Sequence, residues 1–188
     1  VQLSGASANF IDKNEGASKD VNYSVASGNL GGSDAGNYVL NASTGNASAG
    51  ITVRTLDLGF PGVNKTYDGG TAASLTITDN RIANDVLTAT ASAAFAEKNA
   101  GLGKTVTVTG ASLSGTDAAN YTLANTGGTA TADITQRTLN LAFAGANKVY
   151  DGGTAATVTV TDNRVNGDVL TASTSGAFAD KNAGAGKT

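Results

Sequence analysis

Apolar and polar residues alternate at a period of two through SLTITD (74–79), VLTATASAAF (86–95), KTVTVTGASL (104–113), YTLA (121–124) and TATADIT (129–135). Successive side chains of a strand point to opposite faces, so this period predicts half-buried β-strands. Thr and Val suit such pleated surfaces. With RTLDLGF (54–60), six or seven short strands are expected between residues 54 and 136. Gly-Gly, Asp-Gly, Gly-Thr-Asp and Asp-Asn clusters separate them and supply turn chemistry. No window carries a convincing amphipathic helix. The spacing is that of an all-β sandwich.

The same pattern recurs at an offset of 83. RTLDLGFPGVNKTYDGGTAASLTITDN starts at Arg54, and RTLNLAFAGANKVYDGGTAATVTVTDN starts at Arg137. Residues 54–105 and 137–188 share 36 of 52 positions without a gap. The opening stretch matches the other half of the unit: FIDKNEGASK at Phe10 parallels FAEKNAGLGK at Phe95, and SDAGNYVL at Ser33 parallels TDAANYTL at Thr116. The chain is therefore expected to hold the C-terminal part of one module (1–53), one complete module (54–136) and the N-terminal part of the next (137–188). It opens at Val1 without a Met and reads as a slice of a longer protein.

Every cation occupies one of five repeating positions: Lys13/Lys98/Lys181, Lys19/Lys104/Lys187, Arg54/Arg137, Lys65/Lys148 and Arg81/Arg164. Nine of ten aromatics repeat likewise, Tyr23 being the exception. An active site is one constellation in one place, whereas these candidates are copied with the module. Repetition favours scaffolding or multivalent contact over catalysis.

Composition narrows the chemistry further. The chain has no Cys, His, Met or Trp, which removes His-dependent triads, Cys nucleophiles, imidazole or thiolate zinc sites, haem ligation and disulfides. No cofactor is expected. Twelve basic against fifteen acidic residues give a net charge of −3, so nucleic acid is not an expected partner. No segment has the apolar length to span a bilayer, and no membrane insertion is expected. Of 75 apolar residues 33 are Ala, which implies thin cores.

Four motifs carry candidate roles. Asp117-Ala118-Ala119-Asn120-Tyr121, copied as Asp34-Ala35-Gly36-Asn37-Tyr38, reads as a tyrosine corner: the hydroxyl bonds nearby backbone and the ring packs inward. Lys65-Thr66-Tyr67-Asp68-Gly69-Gly70-Thr71, copied as Lys148-Val149-Tyr150-Asp151-Gly152-Gly153-Thr154, reads as a tight turn whose tyrosine covers the core. Asp79, Asn80 and Asp85, with copies Asp162, Asn163 and Asp168, could hold Ca²⁺ through oxygens. The reading preferred here is Asx turns paired with Arg81 and Arg164. Phe95-Ala96-Glu97-Lys98-Asn99, also seen from Phe10 and Phe178, reads as a buried Phe followed by a charged turn. Its sharper alternative is a Lys–Asn or Lys–Asp isopeptide crosslink. The structural set is thus Tyr38, Tyr121, Tyr67, Tyr150, Phe10, Phe95 and Phe178, with no catalytic residue. Asn-X-Ser/Thr sequons at Asn22, Asn41, Asn46, Asn64 and Asn120 become acceptors only where a glycosylating system meets them.

KVYDGGTAA, FADKNAGAGKT, GASLSGTDAANYTL and TADITQRTL together resemble the YDG repeat module of very large bacterial secreted adhesins, the filamentous-haemagglutinin-like exoproteins. One departure is Gly70, where Thr is common after the Asp-Gly of the family. The resemblance implies tandem immunoglobulin-like β-sandwich modules of about 83 residues, rod-like or filamentous. It also implies a non-enzymatic structural segment of an extracellular fibre or adhesin stalk at the bacterial cell surface, serving adhesion or biofilm matrix. Copies of the chain, head to tail or as tandem modules of one long polypeptide, are the expected partners. The alternative role is multivalent, weak binding of host or matrix glycans.

Overall fold

The structure is a computed structural model that describes residues 6–26 and 30–188; residues 1–5 and 27–29, inside the expected 1–53 segment, lie outside the described residues. It is all-β, with fifteen short strands and no α-helix among the described residues. The strands are β1 (Ser7–Phe10), β2 (Gly16–Ser24), β3 (Thr44–Ile51), β4 (Arg54–Leu56), β5 (Leu58–Gly59), β6 (Lys65–Thr66), β7 (Thr78–Asp79) and β8 (Thr88–Phe95). They continue as β9 (Gly101–Ser114), β10 (Tyr121–Leu123), β11 (Gly128–Thr135), β12 (Leu141–Gly145), β13 (Ala155–Ala156), β14 (Val158–Asp162) and β15 (Gly176–Ala177). They form one four-stranded sheet in the order β6-β11-β9-β8, one three-stranded sheet β1-β2-β3, and four two-stranded ribbons.

Side-chain alternation explains which residues turn inward. In β8, Ala89, Ala91, Ala93 and Phe95 face in while Thr88, Thr90 and Ser92 face water. In β9 the inward phase is even-numbered at Val106 and Val108 but odd-numbered at Ala111 and Leu113. Gly110, at φ 68°, sits between them. A one-residue slip would otherwise turn every apolar side chain outward, and a glycine at positive φ absorbs it.

The chain divides into two compact units, each woven from three segments. The first comprises Val1–Pro61, Leu75–Ser92 and Val108–Thr129; the second comprises Gly62–Ser74, Ala93–Thr107 and Ala130–Thr188. Each therefore combines residues of two consecutive sequence repeats.

In the first unit, Leu56, Leu58, Leu87, Ala111 and Tyr121 form a buried cluster, with Phe60, Ile77, Leu113 and Leu123 packed on it. Full burial of one such Leu is worth about 1.5–3 kcal/mol. β4 pairs in parallel with β10 (Tyr121↔Arg54, Leu123↔Leu56), and β5 pairs antiparallel with β7 (Leu58↔Asp79). Asn125 stands in for a missing strand neighbour. Its side chain accepts from the Leu58 N–H at 3.0 Å and donates to the Leu58 carbonyl at 3.0 Å.

In the second unit, Phe95, Val106, Ala132 and Ile134 are buried. β6 pairs in parallel with β11 (Ile134↔Lys65). Lys65 closes the Asp-Gly-Gly turn, donating to Asp68 at 2.8 Å and to the carbonyls of Gly70 and Ala72, with its ammonium 5.5 Å from the Phe95 ring centre. Lys148 repeats the arrangement on Asp151, Gly153, Ala155 and the Phe178 ring. β12 pairs antiparallel with β14, and Leu141↔Asp162 repeats the register of Leu58↔Asp79 at an offset of 83.

Candidate functional site

The Asp79–Arg81 turn builds the floor of the candidate site. Asp79 accepts from the Arg81 backbone N–H at 3.0 Å and from its Nε at 2.7 Å, while Nη1 donates to the Leu87 carbonyl at 2.6 Å. The bidentate geometry fits a planar guanidinium to a carboxylate. It fixes the loop 81–87, in which Asn84 takes a positive φ of 73°. Arg81 holds the Asp79 carboxyl below its ordinary range. Asp162 and Arg164 repeat the clamp, and there Arg164 pulls the Asp162 carboxyl down to about 2.

Onto this floor Tyr121 descends. A short 3₁₀ turn, Ala118–Asn120, delivers it, and its ring enters the buried cluster. The hydroxyl accepts from the Ile82 N–H at 3.0 Å and donates to Asp85 Oδ2 at 2.6 Å. The tyrosine-corner reading places these bonds on backbone close by in sequence. Here they reach a loop 36 and 39 residues away. Burial, then the Asp85 carboxylate, pushes the phenol above its ordinary range.

Asp117 is itself buried, and its Oδ2 accepts from the Val86 N–H at 2.8 Å. Lys13, from the preceding repeat, bridges the two carboxylates at 2.6 Å to Asp85 Oδ1 and 2.7 Å to Asp117 Oδ1. Asn120 adds two bonds to the same segment, accepting from the Glu15 N–H at 2.8 Å and donating to Asn14 Oδ1 at 3.2 Å. Lys13 holds both carboxyls below the ordinary range, Asp85 with help from Tyr121 and Asp117 with help from the Val86 amide. Asp117, then Asp85, raises the lysine above its own.

In the second unit the Lys–Asp pair recurs one repeat later: Lys98 Nζ lies 3.4 Å from Asp168 Oδ1, the counterparts of Lys13 and Asp85. The hydroxyl on that oxygen comes from a different motif, Tyr67 donating to it at 2.8 Å. Tyr67, then Asp168, holds the Lys98 ammonium above its ordinary range. An open groove of about 480 Å³ adjoins this joint, walled on one side by Arg137, Leu139, Arg164, Val165, Asp168 and Leu170.

The remaining sequence candidates distribute as follows. Phe95 and Tyr121 are buried, Tyr67 and Phe178 are half-buried, and Phe10, Tyr38 and Tyr150 are exposed. Asn80 is spent on Asp57, accepting from its N–H at 3.0 Å and donating to its carboxylate at 3.1 Å. Asn163 accepts from the Asn140 N–H at 2.8 Å. Among the described residues no three acidic side chains converge as a metal site requires. An isopeptide bond needs a neutral amine facing either an Asn carboxamide, with ammonia leaving, or a neutral Asp carboxyl, with water leaving. At Lys13, Asp85 and Asp117 the mutual shifts favour the charged, unreactive forms.

Sequence reading named Asp117 only as the first residue of a turn, and Lys13 only as a repeated cation. Their partnership spans about a hundred residues. The one available signal was that Lys13, Lys98 and Lys181 recur with the repeat.

Neither a curated protein nor a solved structure matches the chain. A family model does, twice: the YDG domain matches residues 52–131 and again 135–188. Its two matches cover most of the sequence and take in both Tyr-Asp-Gly turns, at Tyr67 and at Tyr150, so the chain belongs to the YDG domain family.

Proposed function

We propose that the chain is a non-enzymatic structural segment of an extracellular bacterial fibre or adhesin stalk, built from tandem immunoglobulin-like sandwich modules. The observation that carries this reading is the joint that recurs in step with the repeat: Lys13 on Asp85 and Asp117, then Lys98 on Asp168. Lys13 and Lys98 reach from one repeat to the next, while the other ion pairs, such as Lys65–Asp68 and Arg81–Asp79, close turns within a repeat. A joint made of ion pairs and hydroxyl bonds, with no flexible linker between repeats, stiffens a tandem array and lets repeat number set its length.

Immunogold labelling of thin-sectioned bacterial cells with antibody against the chain tests the role. Label on surface projections supports it, and label confined to the cytoplasm overturns it. A glycan array probed with the 188-residue chain separates the stalk role from multivalent glycan binding, since a pure stalk segment leaves the array blank.

A further inference from the structure

The loop that meets the preceding repeat is spelled differently in the two repeats. Residues 82–85 read Ile-Ala-Asn-Asp, and their counterparts 165–168 read Val-Asn-Gly-Asp. Both form the same four-residue turn. The Asp85 N–H donates to the Ile82 carbonyl at 3.2 Å, and the Asp168 N–H to the Val165 carbonyl at 3.1 Å. The third residue is left-handed in each, Asn84 at φ 73° and Gly167 at φ 92°. Asn tolerates that conformation better than most side chains do, and Gly takes it without cost. Glycine thus eases the turn, but it does so directly after an asparagine. Asn166-Gly167 is the one Asn-Gly pair in the sequence.

We infer that Asn166-Gly167 is a site of spontaneous deamidation and isomerisation. The Gly167 amide nitrogen gives its proton to solvent base and attacks Cγ of Asn166. The bond from Cγ to the carboxamide nitrogen breaks, and that nitrogen leaves as ammonia with a proton from water. The resulting five-membered succinimide takes up one water at either carbonyl. One opening leaves an ordinary aspartate at position 166, and the other leaves an isoaspartate.

The site is open to this chemistry. Asn166 and Gly167 are exposed, and a Cβ at Gly167 would meet no heavy atom within 4 Å. Nearby Asn163 is tied to Asn140 and Thr138, whereas among the described residues the Asn166 carboxamide and the Gly167 N–H have no partner. Ala83 and Asn84 are also exposed in the complete module, where Tyr121 is seated on the loop, so the turn faces water with its tyrosine in place. Asn84 itself is protected. Its attacking nitrogen would be that of Asp85, which the turn bond to Ile82 holds and the Asp85 side chain crowds.

The product acts on the joint. An isoaspartate adds one methylene to the main chain inside a turn closed by a single bond. The ends of that turn carry the contacts to the preceding repeat: Asp168 takes the Tyr67 hydroxyl and the Lys98 ammonium. Val165 lies over Gly69, where a Cβ would come within 2.6 Å of its Cγ1. Widening the turn displaces both. The joint between Lys98 and Asp168 therefore ages, while the joint at Asp85 does not.

Peptide mapping by mass spectrometry tests this on the full chain held in warm, mildly alkaline buffer. Cleavage after Arg81, Lys98, Arg164 and Lys181 gives peptides 82–98 and 165–181, in which Asn84 and Asn166 are the only asparagines. Peptide 165–181 should convert to forms in which the amide has become an acid, and one of them should accept a methyl group from an isoaspartate-specific methyltransferase. Peptide 82–98 should stay unchanged, and Gly167→Asn, which restores the residue of the complete module, should stop the loss at Asn166. Converted wild type should melt below fresh protein, whereas Asn166→Ala held under the same conditions should melt as it did when fresh. An unchanged peptide 165–181, or equal loss at Asn84, overturns the inference. So does fully converted protein that melts as fresh protein does.

Discussion

Tyr121 and Tyr38 share sequence context and backbone geometry but differ tenfold in exposure, which makes them a matched pair for mutation. Removing the Tyr121 ring with Tyr121→Ala empties a site against Leu56, Leu87 and Ala111. Truncating a buried aromatic of this size costs about 3–5 kcal/mol. Tyr121→Phe keeps the ring and removes only the hydroxyl, which makes one bond to the Ile82 N–H and one to Asp85. Ile82 is exposed, so water replaces part of the loss, and about 1–2 kcal/mol is expected. In a cooperative unit of about 100 residues, the size of the first unit, each kcal/mol shifts Tm by about 4–8 °C. Tyr121→Phe should therefore lower Tm by about 4–16 °C and Tyr121→Ala by about 12–40 °C. Tyr38→Ala should change stability by less than about 0.5 kcal/mol. Far-UV circular dichroism melts measure all three. If Tyr121→Ala melts with wild type, or Tyr38→Ala costs as much as Tyr121→Ala, the assignment of the first unit's core is wrong.

Acid should weaken the Lys13 joint in a defined window. Asp85 and Asp117 have lowered folded pKa values, so their contribution is complete above the unfolded value of about 3.9 and fades as pH falls through the folded values. The raised Lys13 value works the other way: its contribution is complete below about 10.4 and is lost as pH rises through the folded value. The Tm gap between wild type and Lys13→Ala should hold between about pH 5 and 9 and close at both extremes; a gap independent of pH would refute the ion-pair account. Added Ca²⁺ should leave Tm unchanged, because Asp79 and Asp85 are occupied by Arg81, Lys13 and Tyr121; a rise abolished by Asp79→Ala would show a cation site. Intact mass spectrometry should return the full sequence mass, and a deficit of one water or one ammonia would reveal an isopeptide bond.

The period-two pattern located β8, β9, β10 and β11 within a few residues, since each alternation has both a buried face and a partner strand. SLTITD behaved differently. Leu75, Ile77 and Asp79 do turn inward, yet only Thr78–Asp79 forms a strand, with Leu75 in an isolated bridge. Alternation reports which face is buried and carries no information on whether a neighbouring backbone lies within reach. The turns before Tyr38 and Tyr121 were legible because Asp, two small residues and Asn dictate them locally. The inward packing expected of the ring holds at Tyr121 and fails at Tyr38, because it depends on the 82–85 loop of the same module. The charge clamp escaped for a related reason: Lys13 meets Asp117 across a separation that no local pattern encodes.

The parallel pairing of β6 with β11 has a mechanical consequence. Tension applied through residues 54 and 136 pulls Lys65 toward the start of the chain and Thr135 toward its end. In parallel strands those pulls are opposed along a common axis. The Ile134↔Lys65 and Thr135↔Thr66 pairs, and the Tyr67 N–H bond to the Thr135 carbonyl at 2.9 Å, are then loaded together in shear. β4 against β10 meets the same geometry, with the Ala124 N–H bond to the Leu56 carbonyl, also at 2.9 Å, continuing that ladder. An antiparallel hairpin pulled from its open end yields one bond at a time, whereas a sheared ladder must break its bonds at once. Forced unfolding is governed by the unfolding barrier rather than by equilibrium stability. A module with a thin, alanine-rich core can thus melt at modest temperature and still resist being pulled apart from its ends.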